Sequence, residues 1–297
     1  MNQAIEIYLL NKFYDNFHVL KDISLSIQEN RIYGLIGRNG AGKTTLMKTI
    51  AGQIYYKSGY IKVFGQDTRK DETAINKICL ARETLGAYYE QNTSIKVSKI
   101  LEIAGTLFKN WDEQYARHLI KRLGLDPKKY YNKISKGMKT TVGIIIGLAS
   151  RAEITMFDEP YIGLDPVARD IFFEELNKDY MNNPRTMIIS SHLIKEFETL
   201  FENIIMIDKG RIIIDDTVES IEQKFFYLSG KESSIEKVLN GQKILSKEKI
   251  GALASYAVTG KLTELDYDKL SQNDVQVSRM DIQKILVNLT KEDETDE

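Results

Sequence analysis

A chain of 297 residues, 42% of them hydrophobic, can bury a sizeable core and is long enough for one large or two smaller domains. Its 41 lysines and arginines against 42 acidic residues leave a net charge of -1, which excludes bulk electrostatics as a route to nucleic acid, and no nucleic-acid partner is expected. A single cysteine, Cys79, excludes an intrachain disulfide and points to a reducing compartment. The start carries no basic, then apolar, signal-like pattern, and the longest apolar window is the short "VGIIIGLAS", so work at a membrane would require another chain to cross it.

In chain order, residues 1 to about 80 read as short apolar strands broken by turns, with one helix from Thr44 to Ala51. Ile32 to Ile36 is a buried-strand segment that runs into "GRNGAGKTT", and Gly37 to Thr44 fits G-x-x-x-x-G-K-[ST]. Gly37, Gly40 and Gly42 lack side chains, so the backbone around Asn39 can curl about an anion and turn its amide hydrogens inward, aided by the positive end of the following helix. Lys43 would reach the β- and γ-phosphates of a nucleotide, Thr44 would give its hydroxyl to magnesium, and Thr45 would sit by the α-phosphate.

Between about 83 and 150 the pattern is helical, with apolar residues at three- and four-residue steps in "VSKILEIAGTLF" and "WDEQYARHLIKRLGL". From 152 to about 216 strands and helices alternate, which implies a mainly parallel, covered sheet. There "AEITMFDEP" ends a strand in two adjacent acids. Alternation along a strand predicts that Asp158 and Glu159 point in different directions, with Asp158 holding magnesium through water and Glu159 orienting the water that attacks the γ-phosphate. "IIMIDKGRIIIDD" reads as two strands joined by a Lys-Gly turn. Residues 219 to 290 read as a small α+β region, with "ALASYAVTG" and "DVQVS" strand-like and "MDIQKILVNLT" an amphipathic helix. The tail "KEDETDE" reads as a disordered, solubilising end.

On these motifs, over roughly residues 4 to 218, the chain resembles the ATP-binding subunit of an ABC transporter. In that family the Asp-Glu pair is followed by a proline and then a segment like "GLDP", here Gly163 to Pro166. The resemblance implies an α/β P-loop NTPase fold of the ABC ATPase type: a mainly parallel sheet core, an antiparallel β part and a helical subdomain at about 83–150. A small C-terminal α+β extension completes it, with domains at 1–218 and 219–297. It places Asp165 on a dimer-contact loop and gives His192, after "TMIISS", a role at the γ-phosphate or the attacking water. His18 and His118 have no such context and read as surface or packing residues. "ISKGM" stands where the family's signature reads roughly LSGGQ. Ser135 can cap a helix there and Gly137 lets its amide approach an anion. Lys136 replaces a glycine, so its side chain must point away from nucleotide or add a cation beside it. For adenine stacking Tyr14 is the candidate, with Phe13 the alternative. Glu83 aligns with a glutamine that touches magnesium and the membrane partner, whereas Gln91 lies too far along.

Activity follows from the resemblance: an ATP hydrolase using Mg2+, dimerising with an identical or homologous ATP-binding subunit around two ATP. It would work at the cytoplasmic face of the cell membrane on an integral membrane permease. The altered signature, the "WD" helix and the C-terminal extension resemble bacterial two-component exporters, some of which move amphipathic peptides such as phenol-soluble modulins. A soluble ABC-type ATPase of an assembly machine and a nucleotide-gated regulator without turnover are the alternatives.

Overall fold

The computed structural model describes residues 2–83, 91, 95–191 and 200–291. They form two compact units, one of residues up to 191 together with 200–215, the other of residues from 216 onward. In the first, β1 (Gln3–Tyr14) and β2 (Phe17–Gln28) make a long antiparallel hairpin. Two further strands, β4 (Ser58–Val63) and β5 (Gln66–Asp67), extend it in the order β2-β1-β4-β5.

A six-stranded sheet carries the order β10-β9-β3-β8-β7-β6. Its members are β3 (Ile32–Ile36), β6 (Ile78–Arg82), β7 (Ile154–Asp158), β8 (Thr186–Ser191), β9 (Asn203–Asp208) and β10 (Arg211–Thr217). The pairs β3/β8, β3/β9, β6/β7 and β7/β8 are parallel. All residues of β3 and β8 are buried, which is why both read as nearly unbroken apolar runs: a parallel strand is covered on both faces. Lys209 and Gly210 turn β9 into β10 with φ of 45° and 80°, the positive values that a tight hairpin requires.

Alternation in β7 sorts the two faces. Ile154 and Met156 join one core with the antiparallel sheet and helix α1 (Lys43–Ile50). Phe157 points the other way, edge-on to Phe172 at 5.5 Å. After a short helix α2 (Glu72–Ile75), the helical part contains α3 (Val97–Leu107), α4 (Glu113–Arg122) and α5 (Lys136–Ala149), followed by α6 (Pro166–Asn182). Helix α5 lies flush on the strand ends: a Cβ at Gly143 would come within 2.4 Å of the Arg82 carbonyl oxygen, and one at Gly147 within 2.5 Å of the Phe157 ring.

The second unit holds α7 (Val218–Lys224), β11 (Phe225–Lys231), α8 (Glu232–Val238), β12 (Lys243–Ile250), β13 (Leu253–Thr259), α9 (Glu264–Gln272), β14 (Gln276–Arg279) and α10 (Ile282–Thr290). From β11 to β14 the order is β-α-β-β-α-β, in an antiparallel sheet ordered β12-β13-β11-β14. That is the ferredoxin-like arrangement. Phe226, Leu228, Tyr256 and Val258 on one sheet face share a core with Ile235 and Val238 of α8 and Leu270 of α9. On α10, Asn288 accepts a hydrogen bond from Ser246 of β12 at 2.6 Å.

Behind the first unit's sheet, α6 is tied down by buried charge. Asp179, 3% exposed, pairs with Arg185 at 2.8 Å and with Arg151, which also reaches Asp112 at 3.2 Å. Burial first, and the nearby Arg151 charge second, pull the Arg185 guanidinium down to about 10. Removing one member of such a group leaves the others buried and uncompensated. Asp179→Ala should therefore lower the stability of the first unit by about 3–5 kcal/mol, read as an earlier urea transition in its unfolding curve.

Candidate active site

The strand β3 delivers the chain into the glycine loop, where Gly37 and Gly42 are glycines for different reasons. A Cβ at Gly37 would sit 2.3 Å from the Ile207 carbonyl oxygen, so the loop begins pressed against β9. Gly42 has φ of 113° at the start of α1, a value that side chains disfavour. The loop is pinned to the β9–β10 hairpin by Gly210 N–H donating to the Ala41 carbonyl at 3.0 Å.

Lys43 is 5% exposed. Its Nζ donates to the carbonyls of Gly37 at 2.8 Å and Arg38 at 3.3 Å and lies 3.4 Å from Glu159 Oε1. Next along the helix, the exposed Thr44 donates from Oγ1 to Asp158 Oδ1 at 3.1 Å. Ser190 donates to the same Asp158 oxygen at 2.8 Å and accepts from the Glu159 N–H at 2.9 Å. Two consecutive residues of the loop thus meet two consecutive carboxylates.

This corrects the expectation that Asp158 and Glu159 diverge. Asp158 follows Met156 onto the α1 face, as alternation requires. Glu159 has φ of 50°, in the left-handed region, so it has left the strand and alternation no longer governs it. Both carboxylates turn toward the start of α1.

Glu83 follows β6, whose Arg82 is in register with Asp158. It lines a cleft of about 210 Å³ with Thr44, Arg82, Asp158, Glu159 and Ile162. Its Oε2 lies 3.2 Å from Lys136 Nζ. A larger hollow of about 760 Å³ lies at the opposite strand ends, beside Asn30, Glu153 and Thr186, and contains no glycine loop.

Ser135 accepts from the Met138 N–H at 3.2 Å and so caps α5. Gly137 has a packing reason as well: a Cβ there would lie 2.1 Å from the Gly163 carbonyl oxygen. Thr140 donates to the Ile162 carbonyl at 2.8 Å, and Asp165 caps α6 by accepting from the Ala168 N–H at 2.9 Å. The signature-like segment and the "GLDP" segment therefore form one packed group. Tyr14 stands near the tip of the β1–β2 hairpin, 45% exposed, with Lys12 over its ring at 4.6 Å. Phe13 is engaged differently, stacked on His18 at 4.0 Å with Lys57 over its ring. His18 bonds Asn11 at 2.8 Å and His118 bonds Glu175 at 3.0 Å. His192 lies outside the described residues.

One site residue escaped the sequence reading. Ser190 is fully buried and ties the Asp158 carboxylate to the Glu159 backbone N–H; its signal was a pair of hydroxyls closing an apolar strand in "TMIISSHL". Among the described residues no three Asp, Glu, His or Cys side chains converge to hold a metal. A hydroxyl beside one carboxylate, Thr44 and Asp158, is an oxygen set of the kind that suits magnesium, which keeps waters and takes substrate phosphates as its remaining ligands. Ser190→Ala should strand the Glu159 N–H and destabilise the first unit by about 1–3 kcal/mol, checked by chemical denaturation.

Comparison with known proteins identifies a family. The family profile described as "ABC transporter" matches residues 20–162. The ABC transporter ATP-binding protein NatA of Bacillus subtilis (strain 168) is 33% identical over 223 residues, 71% of this chain and 87% of that protein. The lantibiotic transport ATP-binding protein SrtF of Streptococcus pyogenes is 30% identical over 227 residues, 74% of this chain and 95% of that protein. In fold, the chain matches the dimeric structure of a post-hydrolysis state of the ATP-binding cassette MJ0796 bound to ADP and Pi. The TM-score is 0.62 at 18% identity, covering 72% of this chain and 98% of that one. With the phosphate loop, the carboxylate pair and the sheet that joins them in place, the chain belongs to the ABC transporter family as an ATP-binding subunit.

Proposed function

We propose that this chain hydrolyses ATP to drive export through a separate integral membrane permease, working in a pair of ATP-binding subunits that close head to tail around two ATP. The observation that carries the reading is the double meeting of Lys43 with Glu159 and Thr44 with Asp158. It sets a cation and a hydroxyl, the groups that hold phosphate and its metal, directly against a candidate metal ligand and a candidate base.

A triphosphate entering the loop meets the amides of Gly37, Asn39, Gly40 and Gly42 and the positive end of α1. The Lys43 ammonium exchanges its carbonyl and carboxylate partners for phosphate oxygens, and Thr45 flanks the α-phosphate. Glu159, relieved of Lys43, orients and polarises the attacking water and takes its proton. Thr44 and Asp158, with Glu83 beside them, are the residues that would hold magnesium. When bound, the ion neutralises charge on the β- and γ-oxygens. Ser190 keeps Asp158 in place through its hydroxyl, and His192 serves at the γ-phosphate.

Ser135, Gly137 and Asp165 face the nucleotide of the second subunit, and Tyr14 stacks on adenine. Because each chain supplies half of each site, ATP closes the pair and hydrolysis releases it. Among the described residues no helix is long and apolar enough to cross a membrane, which fits a peripheral subunit at the cytoplasmic face. Residues 1–218 are the ATP-binding domain and 219–297 an accessory region. The lantibiotic transport in the name of the streptococcal relative supports export of amphipathic peptides.

Lys43→Ala should weaken ATP binding by roughly 100-fold, since it removes the buried cation from a charge-paired contact; a nucleotide titration that keeps its affinity defeats the loop's role. Glu159→Gln should bind ATP but turn it over at least about 100-fold more slowly and accumulate as a dimer in sedimentation. Unchanged phosphate release would remove Glu159 from the mechanism. Co-purification with an integral membrane protein checks the permease.

A further inference from the structure

Lys136 occupies the position where the signature of related subunits has a glycine, and its amine is 3.2 Å from the Glu83 carboxylate of its own chain. We propose that Lys136 is a shared cation, held by Glu83 in the single chain and handed to the triphosphate of the second chain when the pair closes. This rests on the head-to-tail pairing proposed above.

The two partners are unequal. Glu83 is fixed: its carbonyl accepts from the hydroxyl of Tyr131, a fully buried ring, at 3.1 Å. The preceding Arg82 is locked in register with Asp158 and covered by Gly143 of α5. Lys136 is the more exposed partner, with a side chain 60% exposed against 29% for Glu83. An exposed ion pair of this kind is weak and exchanges readily.

The surroundings say what should replace it. The first turn of α5 contains Lys136 and Lys139 and no acid; the Lys139 ammonium lies over the Tyr131 ring at 5.4 Å, while Lys136 adds its charge at the positive end of a helix, where cations are disfavoured. Glu83 supplies the compensating negative charge in the single chain. A triphosphate brought against Ser135 and Gly137 carries more charge and sits closer to the helix axis, so it displaces the carboxylate. Once released, Glu83 is left in the cleft with Thr44 and Asp158, available to its own chain's magnesium site. Closure at one nucleotide therefore prepares the other, and the coupling is reciprocal.

The test uses the full-length Glu159→Gln chain, in which ATP-driven dimerisation is followed by sedimentation across protein concentration. Adding Lys136→Gln should raise the dimer dissociation constant at least about tenfold, because it removes an interfacial cation from a phosphate. Adding Glu83→Gln, whose amide oxygen can still meet magnesium, should lower it about two- to fivefold, because the competing negative charge on Lys136 is gone. The double substitution should match Lys136→Gln alone, and Lys136→Arg should retain most of the affinity. Opposite signs for the two single substitutions are the signature, since a merely structural pair would weaken the dimer from either side. Equal weakening by both, or no change with Glu83→Gln, overturns the proposal. Thermal unfolding of each nucleotide-free variant verifies that it is folded. A Glu159→Gln parent that stays monomeric at saturating ATP defeats the pairing itself, and the proposal with it.

Discussion

A buried ammonium group must be met by negative charge, and the site is organised around that demand. Lys43 is enclosed at the start of α1, with two loop carbonyls and Glu159 as its partners. An ammonium taken out of water costs several kcal/mol unless paired. The curl of the loop, which turns the Gly37 and Arg38 carbonyls inward, is one half of the compensation. The other half comes from Glu159, just past the end of a strand more than a hundred residues further along the chain. The pocket is therefore held in shape by negative charge of the kind a phosphate carries, and the ammonium is compensated within the single chain.

That arrangement is possible because the sheet is parallel at its centre. Strands β3, β8, β7 and β6 run the same way, so their carboxyl ends fall on one edge, where α/β sheets place their ligands. The glycine loop, the Asp158 and Glu159 pair and Glu83 are each the next residues after, or the last of, one of these strands, and Ser190 is the last but one of β8. Antiparallel pairing would send half of them to the far edge.

Much of this was legible beforehand. The glycine spacing and the acid pair announce themselves because their chemistry needs particular residues at fixed intervals, and the apolar strands before them set their direction. What did not read through was geometry that depends on a single backbone angle or on a distant neighbour. The left-handed turn at Glu159 reverses the outcome of alternation, and nothing in "FDEP" encodes φ. Lys136 looked like an intrusion into a glycine motif until Glu83, on a different element, supplied its partner. In the second unit, the strand-like character of β13 and β14 and the helix α10 came from apolar periodicity. By contrast β12, "KILSKEKI", hid behind its charges, since strand propensity is a weak guide when most side chains face solvent. The ferredoxin-like order appears only when β12 is counted.

Those same charges on β12 bear on how the protein behaves in a crowded cell. An outermost strand exposes a row of unused backbone donors and acceptors that a stranger's backbone can zip onto. Here one margin of the second unit's sheet is lined by Lys243, Lys247, Glu248 and Lys249, and the other, β14, is only four residues long. Neither offers a flat, uncharged seam, so runaway stacking into fibrils finds no foothold on this sheet.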